Sequence, residues 1–287
     1  MSSNAALQCV RRLFERPKAG HAGTLDPFAT GLLPICLGEA TKFAGIPLAA
    51  HKTYEAVVTL GLATSTGDST GAALFSGSVD GYIDRLPETL EGFRGEFDQV
   101  PPMFSALKHK GQPLYKYARA GAEVERAPRR VHIFQLDILS ASKQDVTLLV
   151  RCSKGTYIRT LAHDIGVRLG CGGHLAALRR TRIGTLDVHD AVTLDSLASM
   201  NLSQRIKHVH PADLVLAELP WLGLDPLSAS AVLQGRPVEG PSQGVSGMVR
   251  LYDDAGRFLG LAVRDAQGRV VPKRMCSRPL LGSRQII

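Results

Sequence analysis

Apolar residues recur along the chain with two periods, and these periods predict its helices and strands. Helical spacing predicts helices over 5–14, 84–93, 157–169, 175–180 and 227–233. Runs rich in β-branched residues predict strands over 52–60, 131–139, 145–152, 248–252, 258–263 and 270–276. A polar turn separates the strands at 131–139 and 145–152, which are therefore expected to form a hairpin.

The composition of the chain changes near residue 215. Beyond it, a Gly-, Pro- and Ser-rich stretch follows the helix at 227–233, and Asp254-Ala255-Gly256 and Ala266-Gln267-Gly268 predict tight turns between the last strands. We therefore predict two domains, 1–215 and 216–287, of which the second is small and β-rich.

The net charge is compatible with a polyanionic partner. The 287 residues include 34 Lys and Arg against 26 Asp and Glu, which leaves a formal charge of +8. The excess is spread along the chain, with nine basic against six acidic residues in 216–287 and hence 25 against 20 elsewhere. A long surface that follows a nucleic-acid backbone fits this distribution, although many basic proteins have no such partner.

The composition also excludes several protein classes. A content of 44% apolar and 21% charged residues is that of a globular protein and excludes general disorder. The five cysteines form no CxxC pair, which excludes a zinc ribbon or a redox dithiol and favours reduced thiols. No apolar stretch approaches the ~20 residues of a membrane span, and the start lacks a signal sequence. We expect a cytoplasmic protein that does not contact a membrane.

Two short segments could carry chemistry. Asp26 lies before Pro27 in a glycine-rich loop, so its backbone is extended, and its carboxylate either caps a turn or faces a ligand. Arg159 lies in the first turn of a helix that Thr156 is expected to cap, where a cation opposes the helix dipole. That position is compatible with a carboxylate or phosphate opposite Arg159, or with an arginine exposed to water.

Other motifs are missing or incomplete. The sequence has no GxGxxG fingerprint, no GxSxG elbow and no Gly-Lys pair of a phosphate-binding loop. His208 and His210 lack a third ligand nearby, so we expect no metal site.

The segment GHAGTLDPFATGLLPICLGEATKF (20–43) resembles the signature of the TruB family of tRNA pseudouridine synthases. Residues 52–71, 99–121, 152–170 and 174–184 are similar to further segments of that family. The resemblance implies an α+β fold, with a pseudouridine synthase catalytic domain around a large mixed, mainly antiparallel sheet. It also implies a thumb-like insertion at about 99–121 and a small β-rich PUA-like C-terminal domain.

The resemblance assigns three catalytic residues. It matches Asp26 to the catalytic aspartate, Tyr54 to a tyrosine that packs on the flipped uracil and assists proton removal, and Arg159 to the arginine that pairs with the catalytic carboxylate. An arginine beside a buried carboxylate keeps that carboxylate ionised. The reaction is an isomerisation, so the family needs no cofactor and no metal.

The resemblance also assigns contacts to the RNA. It matches His21 to a histidine that contacts the RNA where the target base has left its stack, and it matches Tyr157 and Leu178, with Tyr54, to the uridine pocket. Base flipping is required because the reacting atoms are unreachable inside the stack.

Three departures from the family pattern are visible. The N-terminal strand and Lys-Pro-x-Gly segment that usually precede the signature are expected to be missing. Ala22 stands where the family usually has Thr, and Phe104 where it usually has Tyr.

The implied function is isomerisation of uridine to pseudouridine in RNA, at uridine 55 in the T-loop of tRNA, with attack at either C6 of uracil or C1′ of ribose. The implied partner is the tRNA T-stem-loop, without a protein partner, and we expect a monomer. One alternative is a catalytically impaired RNA-binding or tRNA-folding protein on the same scaffold. Another is a guide-dependent relative of the family.

Overall fold

The computed structural model describes residues 1–240 and 245–282. The described helices are α1 (Ser3–Leu13), α2 (Gly45–Ala49), α3 (Tyr82–Glu91), α4 (Leu114–Arg119), α5 (Ile158–Leu169), α6 (Leu194–Ser199), α7 (Leu202–Ile206) and α8 (Pro226–Leu233). The first nine strands are β1 (Ala19–His21), β2 (Thr30–Gly31), β3 (Ile35–Leu37), β4 (Lys52–Leu60), β5 (Leu62–Thr64), β6 (Ala73–Ser76), β7 (Gly95–Gln99), β8 (Lys108–His109) and β9 (Gln112–Pro113). The others are β10 (Arg129–Ala141), β11 (Asp145–Cys152), β12 (Gly173–Ile183), β13 (Leu186–Asp187), β14 (Trp221–Gly223), β15 (Val238–Glu239), β16 (Gly247–Tyr252), β17 (Phe258–Arg264) and β18 (Arg269–Leu280).

The chain divides into two compact units. The sheet unit comprises Phe28–Leu32 and Ala50–Ile183, and the terminal unit comprises Met1–Pro27, Leu33–Ala49 and Gly184–Ile287. The terminal unit thus joins residues from both ends of the chain, whereas the predicted division at residue 215 follows the sequence alone. That division stays a prediction.

The sheet unit is built on an antiparallel sheet in the order β12-β4-β11-β10-β7. The short strand β2 lies parallel to β12, which makes the sheet mixed but mainly antiparallel. The predicted strand over 52–60 and the predicted hairpin of β10 and β11 are both confirmed.

One face of this sheet is covered by α3 and α5. Alternate residues of the strands point to it, so β4 buries Ala56, Val58 and Leu60 there. Helix α5 ends at Gly170 in the left-handed conformation (φ 78°), as the sequence predicted.

The helix predicted over 175–180 is wrong, because this segment is the strand β12, paired along β4. Its register shifts between Leu175 and Ala177 and again between Arg180 and Arg182. Each irregularity adds one residue, so buried side chains recur three residues apart, at Leu175 and Leu178. This spacing imitates a helix, and Leu, Ala and Arg also have high helix propensity, which pairing with β4 overrides.

The terminal unit contains a second sheet, in the order β14-β16-β17-β18-β15. It includes the three strands predicted near the end of the chain, and helix α8, also predicted, packs against it. The predicted first helix is α1. None of the helices in the described ranges is long and apolar enough to cross a membrane.

Candidate active site

Arg159 is held in one orientation by three groups of the sheet unit. Its side chain is 5% exposed, its Nη1 donates to the Thr66 carbonyl at 3.1 Å, and its Nη2 donates to the Phe104 carbonyl at 2.7 Å. The Asp68 carboxylate lies 3.8 Å from its Nε. The cation at the start of α5 therefore faces a carboxylate, which is one of the two arrangements that its position allowed.

Asp68 is fixed as firmly as Arg159. Its Oδ1 accepts hydrogen bonds from the hydroxyls of Thr66 at 2.7 Å and Thr70 at 2.6 Å, and from the Thr70 amide at 3.0 Å. These donors satisfy one carboxylate oxygen, while the other oxygen faces Arg159. A carboxylate fixed in this way in turn holds the guanidinium in place.

The backbone of Tyr157 is held by Gln99, which is 2% exposed. The Tyr157 amide donates to Gln99 Oε1 at 2.8 Å, and Gln99 Nε2 donates to the Tyr157 carbonyl at 3.1 Å. This pair of hydrogen bonds joins the end of β7 to the start of α5. The expected cap from Thr156 does not form, because its hydroxyl donates to the Ser153 carbonyl at 3.0 Å instead.

Tyr54 and Leu178 lie on the buried face of neighbouring strands. Tyr54 is half-buried on β4 and packs against the core, and its cross-strand partner on β12 is Arg180. Leu178, two residues before Arg180, lies opposite Ala56 and is 7% exposed. These positions suit a pocket with an aromatic and an aliphatic wall.

Buried cations lie at the same end of the sheet. The Lys52 ammonium donates to the Ala50 carbonyl at 2.6 Å. Burial, followed by the charges of Arg180 and Lys154, lowers the pKa of Lys52 to about 8. Burial also raises the pKa of the neighbouring Cys152 thiol to about 12, so this thiol is not a nucleophile at neutral pH.

Asp26 and His21 belong to the terminal unit. The residue before Asp26 is fastened to α1, since the Leu25 amide donates to the Ser3 hydroxyl at 2.8 Å and that hydroxyl donates to the Leu25 carbonyl at 3.2 Å. His21 pairs with Ile35 between β1 and β3. Within the described part of the chain, its Nδ1 is buried without a hydrogen-bond partner.

The structure accommodates both departures from the family pattern, Ala22 and Phe104. Ala22 is fully buried, so its methyl group avoids the need to satisfy a buried threonine hydroxyl. Phe104 contributes its carbonyl oxygen to Arg159, a bond that does not depend on the side chain at this position.

The structure thus places Tyr54, Tyr157, Arg159 and Leu178 in the sheet unit, whereas the pairing of Asp26 with Arg159 stays a prediction. Sequence reasoning missed Asp68, Gln99 and Arg180. No motif in the sequence singles out Asp68 or Gln99, and the helical spacing over 175–180 assigns Arg180 to a helix. Among the residues described by the structure, no three His, Cys, Asp or Glu side chains are grouped to hold a metal ion.

Three family models together match most of the chain. The model of the TruB family pseudouridylate synthase N-terminal domain matches residues 11–158. The model of the tRNA pseudouridylate synthase B C-terminal domain matches 159–217, and that of the pseudouridine synthase II TruB C-terminal region matches 220–276.

Individual proteins and solved structures are also similar. The tRNA pseudouridine synthase B of Aromatoleum aromaticum is 51% identical over 277 residues, covering 96% of this chain and 89% of that protein. The protein of the same name from an Azoarcus species is 52% identical over 275 residues, covering 96% and 91%. A chain of an H/ACA RNP bound to a substrate RNA containing 2′-deoxyuridine matches with a TM-score of 0.72 and 22% identity, covering 99% of this chain and 82% of that one. The archaeal box H/ACA sRNP Nop10-Cbf5 complex matches with a TM-score of 0.71 and 24% identity, over 98% and 82%. These structural likenesses confirm the predicted fold class.

Proposed function

The chain belongs to the TruB family of pseudouridine synthases, and on this basis we propose that it isomerises uridine to pseudouridine in tRNA, at uridine 55 of the T-loop. The structural observation that carries the proposal is the buried Arg159, whose guanidinium is held by Asp68, Thr66 and Phe104. A guanidinium fixed in this way can hold a catalytic carboxylate ionised and oriented. We also propose a cytoplasmic location, which agrees with a tRNA substrate.

In this proposal Asp26 is the nucleophile, and its carboxylate oxygen forms a transient bond to C6 of uracil or to C1′ of ribose that breaks again before the product is released. The bond between N1 of uracil and C1′ of ribose breaks, the base turns within the site, and a bond between C5 and C1′ forms. The proton on C5 leaves and N1 gains one, so atoms and electrons balance without an oxidant, a cofactor or a metal. Tyr54 supplies an aromatic face for the flipped base, and we assign its phenol oxygen a part in removing the proton from C5. Tyr157 and Leu178 form the other walls of the uridine pocket.

We assign RNA contacts outside the pocket to His21 and to residues 216–287. His21 is only half-buried on β1, so part of the residue is accessible to RNA. Strand β18 exposes the basic side chains of Arg269, Lys273 and Arg278, which suit phosphate contacts.

The test is Asp26→Asn, assayed by tritium release from C5 of uridine in unmodified tRNA transcript. This change keeps the size of the side chain and removes its charge, so pseudouridine formation should be lost while tRNA affinity stays within about threefold of wild type. Asp84→Asn, an exposed carboxylate on α3, is the matched control and should retain full activity.

Three results would contradict the proposal. Normal multiple turnover by Asp26→Asn would remove Asp26 from the nucleophile role. A transcript in which uridine 55 alone is replaced by cytidine should not be modified, and unchanged tritium release from it would exclude this position. A wild-type protein that binds tRNA without forming pseudouridine would favour the RNA-binding alternative.

A further inference from the structure

Arg180 is a fully enclosed cation on the face of the sheet that carries Tyr54. Its side chain is 2% exposed, and Arg180 and Tyr54 are direct cross-strand partners on β12 and β4. The guanidinium donates a hydrogen bond to the Tyr54 phenol oxygen. Burial lowers the pKa of Arg180, and the charge interaction and the hydrogen bond with Tyr54 partly offset this effect. A buried guanidinium is tolerated only where acceptors are positioned to meet it.

The same arginine also binds the segment that follows the Asp26 loop. Arg180 Nε donates to the Leu32 carbonyl at 2.9 Å, and the Leu32 amide donates to the Arg180 carbonyl at 2.8 Å. Strand β2 runs parallel to β12 here, with Gly31 opposite Arg180. Gly31 has φ +95°, and a Cβ atom at this position would lie 2.2 Å from the Arg180 carbonyl oxygen. The close approach of the two backbones therefore requires glycine.

These contacts make Arg180 a bridge between two parts of the proposed site. One end of the bridge is the Tyr54 phenol, and the other is the main chain at Leu32, six residues after Asp26. We propose that Arg180 is a positioning residue for the isomerisation, which fixes the Tyr54 ring against the backbone of the 30–32 segment. This inference rests on the proposed catalytic roles of Tyr54 and Asp26.

The chain offers a matched control in the adjacent residue. Arg179 carries the same charge on the same strand, but it is exposed, points to the opposite face, and lies across from Glu55. A general effect of positive charge on RNA binding would affect both arginines. A positioning role is confined to Arg180.

The experiment is a double-mutant cycle of Arg180→Lys and Tyr54→Phe. Single-turnover rates are measured at saturating enzyme, and tRNA affinity is measured separately by titration. A lysine keeps the charge but cannot reach both acceptors in the fixed geometry of a guanidinium, so Arg180→Lys should lower the rate at least about tenfold. Affinity should stay within about threefold, and Arg179→Lys should leave the rate unchanged. In the Tyr54→Phe background the bridge is already broken, so Arg180→Lys should lower the rate by less than about threefold.

An equal rate loss in both backgrounds, or no loss in either, would overturn the role of Arg180. If Arg180→Lys shows no cooperative thermal unfolding, Arg180→Gln takes its place in the cycle. The single variant Tyr54→Phe is then a second test. An unchanged rate in it would show that the Tyr54 hydroxyl bound by Arg180 is not used, which would overturn the role of Arg180. A wild type that forms no pseudouridine in tRNA would overturn both the proposed function and this role. If Asp26→Asn loses activity but the effects of Arg180→Lys and Tyr54→Phe on the rate are additive, the role of Arg180 alone is overturned.

Discussion

The two ends of strand β4 bury different chemistry on the same face of one sheet. At one end Tyr54 lies between Arg180 on β12 and Val150 on β11. At the other end Val58 lies between Leu175 and Val146 on the same two strands. A distance of four positions along one strand thus separates a polar site from a fully apolar core.

This difference indicates that the two ends of the strand have different roles. The apolar end contributes stability, since each buried aliphatic side chain removes surface from water. The polar end encloses Lys52 and Arg180, whose charges are costly to bury unless they are paired. A protein that only needed to fold would gain little from that burial, which supports a chemical role for this end.

The largest expected effect is on stability, at the apolar end. Leu60→Ala should lower the free energy of unfolding by about 2–5 kcal/mol, because the side chain is 1% exposed and leaves a cavity. The single-turnover rate, measured well below the melting temperature, should stay within about threefold of wild type. Urea denaturation measures the first quantity. A large loss of rate in a stably folded variant would show that the two ends are not separable.

A smaller effect, on rate, is expected at the buried Arg159 of α5. Arg159→Lys keeps the charge but loses the planar geometry that reaches Thr66, Phe104 and Asp68, so the single-turnover rate should fall at least about tenfold, or about 1.4 kcal/mol. Affinity for tRNA should hardly change. Arg168→Lys, an exposed position on the same helix, is the control. Weakened binding with an intact chemical step would make Arg159 a phosphate contact instead.

A third expected effect is a pH dependence of stability caused by Lys52. Its pKa is about 8 in the folded protein and near its ordinary value of 10.5 when unfolded. Between these values the unfolded chain holds a proton that the folded chain has released, so this group makes stability rise with pH. The free energy of unfolding of wild type minus that of Lys52→Met should therefore increase from pH 8 to about pH 10.5. A difference that is flat across this range would mean that Lys52 titrates normally.

Much of the architecture was determined locally by the sequence. Strand β4, the hairpin of β10 and β11, helix α5 and the last three strands were all predicted, because the period of their apolar residues is a property of each segment. The signature at 20–43 determined the family in the same way, as a pattern within one stretch of chain.

The tertiary structure alone decided which distant groups meet. Arg159 finds its acceptors 93 and 55 residues away, at Thr66 and Phe104, and no local pattern specifies such a pairing. The bulges of β12 gave its side chains a helical spacing, so only pairing with β4 revealed Arg180 beside Tyr54. The physical reason is that periodicity arises from the backbone geometry of one segment, whereas the partner of a buried charge depends on which segments pack together.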